Sequence, residues 1–494
     1  MPLCLGIALA SGVPPVAGII TAIIGGLFTS LYSGNHISIS GPAAGLIVVT
    51  LGAAASMGGA GAEAGFAGYP HALGAIAISG ILMLAFGILK LGKFGNLFPS
   101  SVVQGMLAAI GLIIIIKQIF PAAGLSSPDA SLLGSLLLIP EMAVDINPNS
   151  LVIAGVTIAI LAYHKQTKIK AIEIVPAAVW VLLITIPLAI LLSDGITFLS
   201  LPEKLWGGES GLQFPSFELI STAPFWQAVI TFTLVSSIET LLSTKAISKL
   251  DPEKRAVDLD KDLNAMGAGS TLASFAGGLP MISEILRSSA NVGFQAKSMM
   301  ANMYHGLFLV VYLFLAKDLL ELIPIPTLSG MLLYAGYGLA SPQRFKNIAS
   351  VGRVQFMFFI VTLLSVLATN LLTGIGIGIF LKIVTLFYYG AKPKDFFNLK
   401  SESRIKDGST HIDLKGNIIF TNSILVNKTI SEAANNYDRI EIDLSNARMI
   451  DHSAISNLYD QQRIYHNNSI EISITGLQNT TPQSAHPLAA RLKK

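Results

Sequence analysis

Glu284 and Arg287 stand one helical turn apart in the stretch Gly277 to Asn291, inside a chain whose neighbouring segments are almost wholly apolar. A charged side chain at the centre of a bilayer costs about 2.5 to 3.5 kcal/mol on insertion scales, so both groups must face protein, water or each other. Their i, i+3 spacing puts them on one face of a helix. Gly277, Gly278 and Pro280 cannot continue a regular helix, which predicts a helix that begins near Met281 and aims its free N–H groups at whatever precedes it. Such an end attracts anions. A broken helix with a positive terminus and a nearby arginine, at bilayer depth, is the sequence pointer to a transporter's substrate site.

That reading needs a membrane, and composition supplies one. Of the 494 residues 52% are hydrophobic and 12% charged, against about 25% charged in soluble proteins. Apolar runs recur at Val13 to Tyr32, Ile37 to Met57, His71 to Leu91, Phe98 to Phe120, Leu151 to Tyr163, Ile172 to Leu192, Phe225 to Leu242, Ala265 to Ala276, Met303 to Ala316, Leu319 to Leu339 and Val354 to Tyr389. The last is long enough for two helices, while Leu151 to Tyr163 and Ala265 to Ala276 are too short to span alone. Met1 to Ala10 is half the length of a span and carries no basic leader, so no cleavable signal is expected and the first segment is truncated or re-entrant.

Other chemistries find little support. A net charge of +3, spread along the chain, gives nothing that suggests nucleic-acid binding. The lone Cys4 cannot form an internal disulfide and reads as packing. His36, His71 and His305 lack zinc-site spacing and fall near segment ends, as interfacial residues do. Gly58 to Gly68 lacks the Lys-Ser/Thr of a phosphate loop, and the glycines from Gly374 to Gly378 read as close helix packing. No catalytic residues, metal or cofactor are expected, and the chain does not read as an enzyme.

Charge sorts the gaps between runs. Lys90, Lys93, Lys165, Lys168, Lys170, the stretch Lys245 to Lys261, Lys297, Arg344, Lys346 and Arg353 form a set predicted to be cytoplasmic. Ser126 to Ser150 and Ser193 to Pro224, with Asp129, Glu141, Asp145, Asp194, Glu203, Glu209 and Glu218 against only Lys204, are predicted to face outside. From Lys392 onward the chain turns polar. Period-two runs near Ile418 to Phe420 and Arg439 to Leu444 alternate with candidate helices at Ile430 to Tyr437 and Ala454 to Tyr465, a pattern that predicts one small α/β domain on the cytoplasmic side.

The first half holds a second broken element. His36 to Gly45 reads as a short extended stretch whose turn at Gly41-Pro42 starts a helix, in the same grammar as Gly277 to Arg287. Matching interruptions in two halves predict inverted repeats whose helix N-termini converge near the midplane; ordinary Gly/Pro kinks are the alternative.

Ser-Ile-Ser-Gly-Pro-Ala-Ala-Gly at 38–45, Ser-Ser-Ile-Glu-Thr-Leu-Leu-Ser at 236–243, and Gly-Gly-Leu-Pro followed by Arg-Ser-Ser-Ala-Asn at 287–291 resemble the SulP family of inorganic anion transporters. Ile442 to Ala454 resembles the core motif of a STAS domain, and the order of the two parts matches. The resemblance implies an α-helical membrane protein with a seven-plus-seven inverted repeat divided into core and gate domains, plus a small cytoplasmic α/β STAS domain. The implied division is 1–390 for anion transport, 391–408 as linker and 409–494 as STAS. Ser40, Gly41, Pro42, Ala43 and Ala44, with Ile282, Ser283, Glu284, Leu286, Arg287 and Ser288, would line the anion site. Arg287 matches the family's basic residue on the tenth segment. Glu239, beside Thr240, matches the acidic position of the eighth, which is linked to co-transported cations or protons. Many members carry Gly-Ser-x-Ser before the arginine, where this chain has Ser283-Glu284-Ile285-Leu286. Bicarbonate-type members are therefore as close a comparison as sulfate permeases.

The expected function is secondary transport of a small inorganic anion by alternating access, coupled to sodium or protons, by a homodimer in the lipid of a bacterial inner membrane. A nucleobase permease of the same fold, and a non-transporting anchor that presents STAS to a partner, are the alternatives. Glu284 is either the partner of Arg287 or a further proton-binding group. Glu239 is a coupling site or a helix-end carboxylate in a vestibule. Asp451 and Ser453 read as a helix cap, with phosphorylation of Ser453 as the regulatory alternative.

Overall fold

The computed structural model describes residues 1–61, 66–93, 98–128, 132–142, 145–167, 169–202, 211–248, 250–253, 255, 257–406, 409–466 and 470–493. Asp129, Lys168, Glu203, Lys204 and Glu209, among the loop charges, lie outside the described residues. The chain divides into two compact units, residues 1–92 with 110–339 and residues 93–109 with 340–494.

The first unit is built from α1 (Pro2–Ala10), α2 (Val16–Leu27), α3 (Thr29–Tyr32), β1 (Ser40–Pro42), α4 (Ile47–Ser56), α5 (Tyr69–Ile88) and the later part of α6 (Ser100–Ala122). It continues through α7 (Leu132–Met142), α8 (Pro148–Gln166), α9 (Lys170–Glu173), α10 (Ala177–Leu192), α11 (Ala223–Ser248) and α12 (Leu259–Phe275). It closes with β2 (Met281–Ser283), α13 (Ile285–Gly293), α14 (Met300–Leu315), α15 (Lys317–Glu321) and α16 (Ile325–Leu339).

Its centre is a two-stranded antiparallel pair in which Ser40 faces Ser283, Gly41 faces Ile282 and Pro42 faces Met281, all buried. Non-helical backbone at membrane depth persists only where every polar group finds a protein partner. The flanking groups are accounted for. Glu284 N–H donates to Ile39 O at 2.9 Å, and Ile39 N–H to Ser288 Oγ at 2.9 Å. Ser40 N–H donates to Asn302 Oδ1 at 3.2 Å, Met281 N–H to Ser270 Oγ at 3.1 Å, and Leu279 N–H to Thr21 Oγ1 at 2.6 Å. This pairing corrects the expected helix start. Residues Met281–Ser283 are committed to a ladder, so the helix begins at Ile285. Gly277, at φ +79°, makes the preceding turn, a conformation that a side chain would strain.

Small residues let the long helices approach. A Cβ on Gly26 of α2 would lie 2.5 Å from Gly306 Cα of α14, and one on Gly267 of α12 would lie 2.5 Å from Leu84 N of α5. Among the described residues, α5, α6, α11 and a further helix of the second unit are long and apolar enough to cross a membrane.

That helix is α19 (Leu371–Tyr388), which follows α17 (Pro342–Val351) and α18 (Arg353–Ala368). The single run Val354 to Tyr389 therefore splits in two, and Asn370 caps α19 by accepting Thr373 N–H at 2.9 Å. Gly374 and Gly378 pack closely on Val366 and Thr362, as their sequence predicted, whereas Gly376 faces open space. The rest of the unit contains β3 (Lys400–Lys406), β4 (Ser409–Ile418), α20 (Ser423–Ala434), β5 (Arg439–Asp443), β6 (Ala447–Ile450), α21 (His452–His466), β7 (Glu471–Thr475), β8 (Thr480–Pro482) and β9 (Arg491–Lys493). The strand order is β7-β5-β4-β6-β9-β8, with β3 antiparallel to β4 and parallel pairing of β4 with β5 and β6. Ile412, Leu414, Ile440, Ile442, Val426 and Leu458 fill its core. β3 falls in the stretch expected to be linker, and α20 starts earlier than the hydrophobic pattern indicated.

Candidate functional site: an arginine between two broken helices

β1 and β2 each end one residue or so before a helix start. After β1 the chain makes a 3-10 turn at Ala44–Leu46 that runs into α4; after β2 it enters α13, and neither start has a side-chain cap. Arg287 is the third residue of α13. A cation there opposes the helix dipole.

Arg287 reaches across to the first break. Its Nη2 donates to Pro42 O at 2.8 Å and its Nη1 to Cys4 Sγ at 3.3 Å, while Nε is buried without a partner. A Cβ on Gly41 would sit 2.6 Å from Nη1, so glycine is what admits the guanidinium. Glu284 is 8% exposed and accepts the Ala44 backbone N–H. Among the described residues no ion pair joins Glu284 to Arg287, so the guanidinium is not consumed by neutralising its neighbour.

The predicted hydroxyls divide. Ser40 Oγ accepts from Thr29 Oγ1 at 2.9 Å, Ser283 Oγ donates to Asp262 Oδ2 at 3.0 Å, and Ser288 Oγ donates to Glu284 O at 2.6 Å. Ser288 thus holds backbone, while Ser40 and Ser283 are tied to other side chains. Gly41, Pro42, Ala43 and Ile282 are buried around the crossing, and the Leu286 side chain lies outside what is described.

Glu239 of α11 packs against Gly45, at the first helix start, and lies within electrostatic reach of Glu284. Its Oε2 is buried with no hydrogen bond, and the buried hydroxyls of Ser236, Ser237 and Thr240 are likewise unpartnered. Buried polar atoms normally find partners. This concentration on one helix provides oxygen ligands for a small cation or acceptors for protons. Gly45→Ala would drive its methyl into the Glu239 carboxylate, the movable end of a side chain. The expected result is a folded protein whose gradient-driven uptake falls by about tenfold, checked by vesicle flux and thermal unfolding together.

Sequence reasoning missed two buried residues. Asn302 joins Ser40 N–H to Gly25 O, donating to the latter at 3.1 Å, and Asp262 gathers hydroxyls from three elements. Asn302 is a polar residue of the apolar helix α14, the signal that could have found it, whereas Asp262 sits among the charges of the first turn of α12 and does not stand out.

In the second unit Asp451 caps α21, accepting Ala454 N–H at 2.6 Å on Oδ1 and Phe420 N–H at 3.0 Å on Oδ2. Lys382 Nζ of α19 lies 3.2 Å from the same Oδ2, an ion pair whose angle falls short of a hydrogen bond, and sits 5.6 Å and 5.4 Å from the ring centroids of Phe358 and Phe420. Ser453 is buried and its Oγ accepts the N–H of Ser100, the first residue of α6, at 3.2 Å.

A profile of the sulfate permease family matches residues 1–362. The bicarbonate transporter BicA of Synechocystis sp. is 25% identical over 403 residues, 81% of this chain and 69% of that protein. YvdB of Bacillus subtilis is 23% identical over 392 residues, 78% of this chain and 70% of that protein. Among solved structures, the transmembrane domain of a cyanobacterial BicA superposes with TM-score 0.66 at 22% identity, covering 76% of this chain and 93% of that one. SLC26A9 gives 0.68 at 14% identity, covering 96% and 82%. The fold is thus that of an α-helical, inverted-repeat membrane transporter with a C-terminal α/β region, and the chain belongs to the sulfate permease family.

Proposed function

We infer that the chain is a secondary transporter of a small inorganic anion of the bicarbonate or sulfate class. The observation that carries this reading is the meeting of two uncapped helix starts at the β1–β2 pair, with the Arg287 guanidinium spanning them. Partial positive charge from both ends and a full charge from Arg287 favour a compact anion, and Ser40, Gly41, Pro42, Ala43, Ala44, Ile282, Ser283, Glu284, Leu286, Arg287 and Ser288 form its surroundings. The names of the relatives support the same class of cargo.

The unpartnered oxygens of Glu239 and Thr240 support coupling to sodium or protons, with Glu284 as a second carboxylate close by. Alternating access by core and gate domains, homodimerisation and a cytoplasmic STAS domain over 409–494, behind a transport region of 1–390, complete the reading. Uptake of labelled bicarbonate, sulfate and uracil into proteoliposomes tests it: one of the two anions should accumulate against its gradient, and accumulation of uracil alone would return the nucleobase reading. Glu239→Gln is expected to keep anion exchange while losing the response to an imposed sodium or pH gradient. An unchanged gradient response removes Glu239 from coupling.

A further inference from the structure

Asp262 is fully buried on α12 and is not itself among the residues assigned to anion or cation. Its carboxylate accepts from Ser33 Oγ on one oxygen, and from Thr244 Oγ1 and Ser283 Oγ on the other, the last at 3.0 Å. The Gly34 backbone N–H adds a fourth donor. An ionised carboxylate offers only acceptors, so it can orient all four donors at once. Two of them matter most. Ser283 ends β2 and is followed directly by Glu284, so it sets where α13 and Arg287 begin. Thr244 lies one turn beyond Thr240 on α11, the helix that carries Glu239.

We propose that Asp262 is a positioning residue that clamps the strand leading to Arg287 onto the helix bearing Glu239, and so fixes the separation of the anion and coupling-ion sites. The proposal rests on the transport reading above. No other described side chain hydrogen-bonds both α11 and β2. The contact is made through Ser283 of β2 and Thr244 of α11. A carboxamide in the same place must point its NH2 at one donor, and so cannot satisfy both hydroxyls on one oxygen and the remaining donors on the other with equal geometry.

The test compares Asp262→Asn, Thr244→Ala and Ser283→Ala in the full chain, reconstituted in proteoliposomes. Each is assayed for the half-saturating concentrations of the transported anion and of the coupling cation. For Asp262→Asn both are expected to rise about tenfold at comparable maximal rate. Ser283→Ala should shift mainly the anion value and Thr244→Ala mainly the cation value. A purely structural role would lower the amount of folded protein and the maximal rate while leaving both half-saturation values in place, and that result overturns the proposal. Hydrogen exchange supplies an arm independent of transport. Asp262→Asn should accelerate exchange locally at Ser283 to Arg287 and around Thr240 to Thr244; uniform or absent acceleration refutes the clamp. Wild-type vesicles that take up no anion would defeat the transport reading, with the exchange result still deciding whether Asp262 holds the two elements together.

Discussion

Replacing Arg287 by alanine is expected to raise the half-saturating anion concentration, and lower uptake at limiting anion, by roughly ten- to a hundredfold. A hydrogen bond to a charged group contributes about 1.5 to 3 kcal/mol, and each 1.4 kcal/mol is about a factor of ten. The backbone should survive the change, because the β1–β2 ladder and the bonds of Ser288 and Asn302 do not involve the guanidinium. Loss of the bond to Pro42 O leaves one carbonyl without that donor. Arg287→Lys should recover only part of the loss. A lysine restores the charge, but its ammonium is a single point and cannot reproduce the planar fork that reaches Pro42 O from Nη2 and Cys4 Sγ from Nη1. Concentration-dependent uptake in proteoliposomes reads all three proteins. Half-saturation equal to wild type in the alanine variant would remove the positive charge from recognition and with it the central role assigned to this crossing.

The second large effect concerns folding of the other unit. Lys382 and Asp451 are 1% and 3% exposed, so each relies on the other for charge compensation. Breaking a buried pair by deleting one partner costs about 3 to 5 kcal/mol, whereas replacing both by uncharged groups is often close to neutral. Lys382→Met should therefore destabilise strongly. Asp451→Ala should do so as well, with about 1 kcal/mol more from the lost cap of α21. Combining Lys382→Met with Asp451→Asn, which retains a capping oxygen, should recover most of the stability. Beside the pair is a cavity of about 20 Å³, bordered by Gln355, Thr385 and Gln483, with room for about one water to satisfy the remaining ammonium protons. Denaturation midpoints for the two single variants and the pair form a double-mutant cycle. Single variants as stable as wild type would mean that solvent reaches the pair and that its burial carries little energy.

The geometry of Ser453 bears on its expected role. A phosphate there would have to displace the N–H of Ser100 and enter a buried position beside the Asp451 carboxylate, whose own charge opposes it. Capping by Asp451 accounts for the local sequence without any modification.

Much of this could be read from the chain because membrane insertion leaves few choices. The apolar runs predicted α5, α6, α8, α10 and α11 within a few residues, and the length of Val354 to Tyr389 predicted two helices. The charges at Glu284 and Arg287 located one break, and the Gly41-Pro42 turn located its counterpart. Less legible was how far each break extends. Met281 to Ser283 carries no strand signature of its own, and its conformation is set by a partner far away in sequence. Short helices such as α7 and α15 were hidden in stretches read as loops or as parts of longer runs. Pairwise roles were also hidden: nothing in the residue types says that Ser288 spends its hydroxyl on backbone support, that Ser40 pairs with Thr29, or that Asp262 collects the hydroxyls of Ser33, Thr244 and Ser283. The match of Arg287 with Gly41, Pro42 and Cys4 is a property of packed coordinates.

The β1–β2 crossing has a consequence for how the chain is made. Ile39 and Ser288, which meet beside it, are separated by 249 positions, and contacts of such long range form late because the intervening chain must first be ordered. During synthesis the early segments enter the lipid while their eventual complement is still being translated. Until Met281 to Ser283 emerge, the polar backbone of Ser40 to Pro42 must remain hydrated or sheltered by some other protein surface. The crossing proposed to receive the anion is therefore among the last parts of the first unit to exist, and assembly intermediates should hold their helices before they hold any cargo.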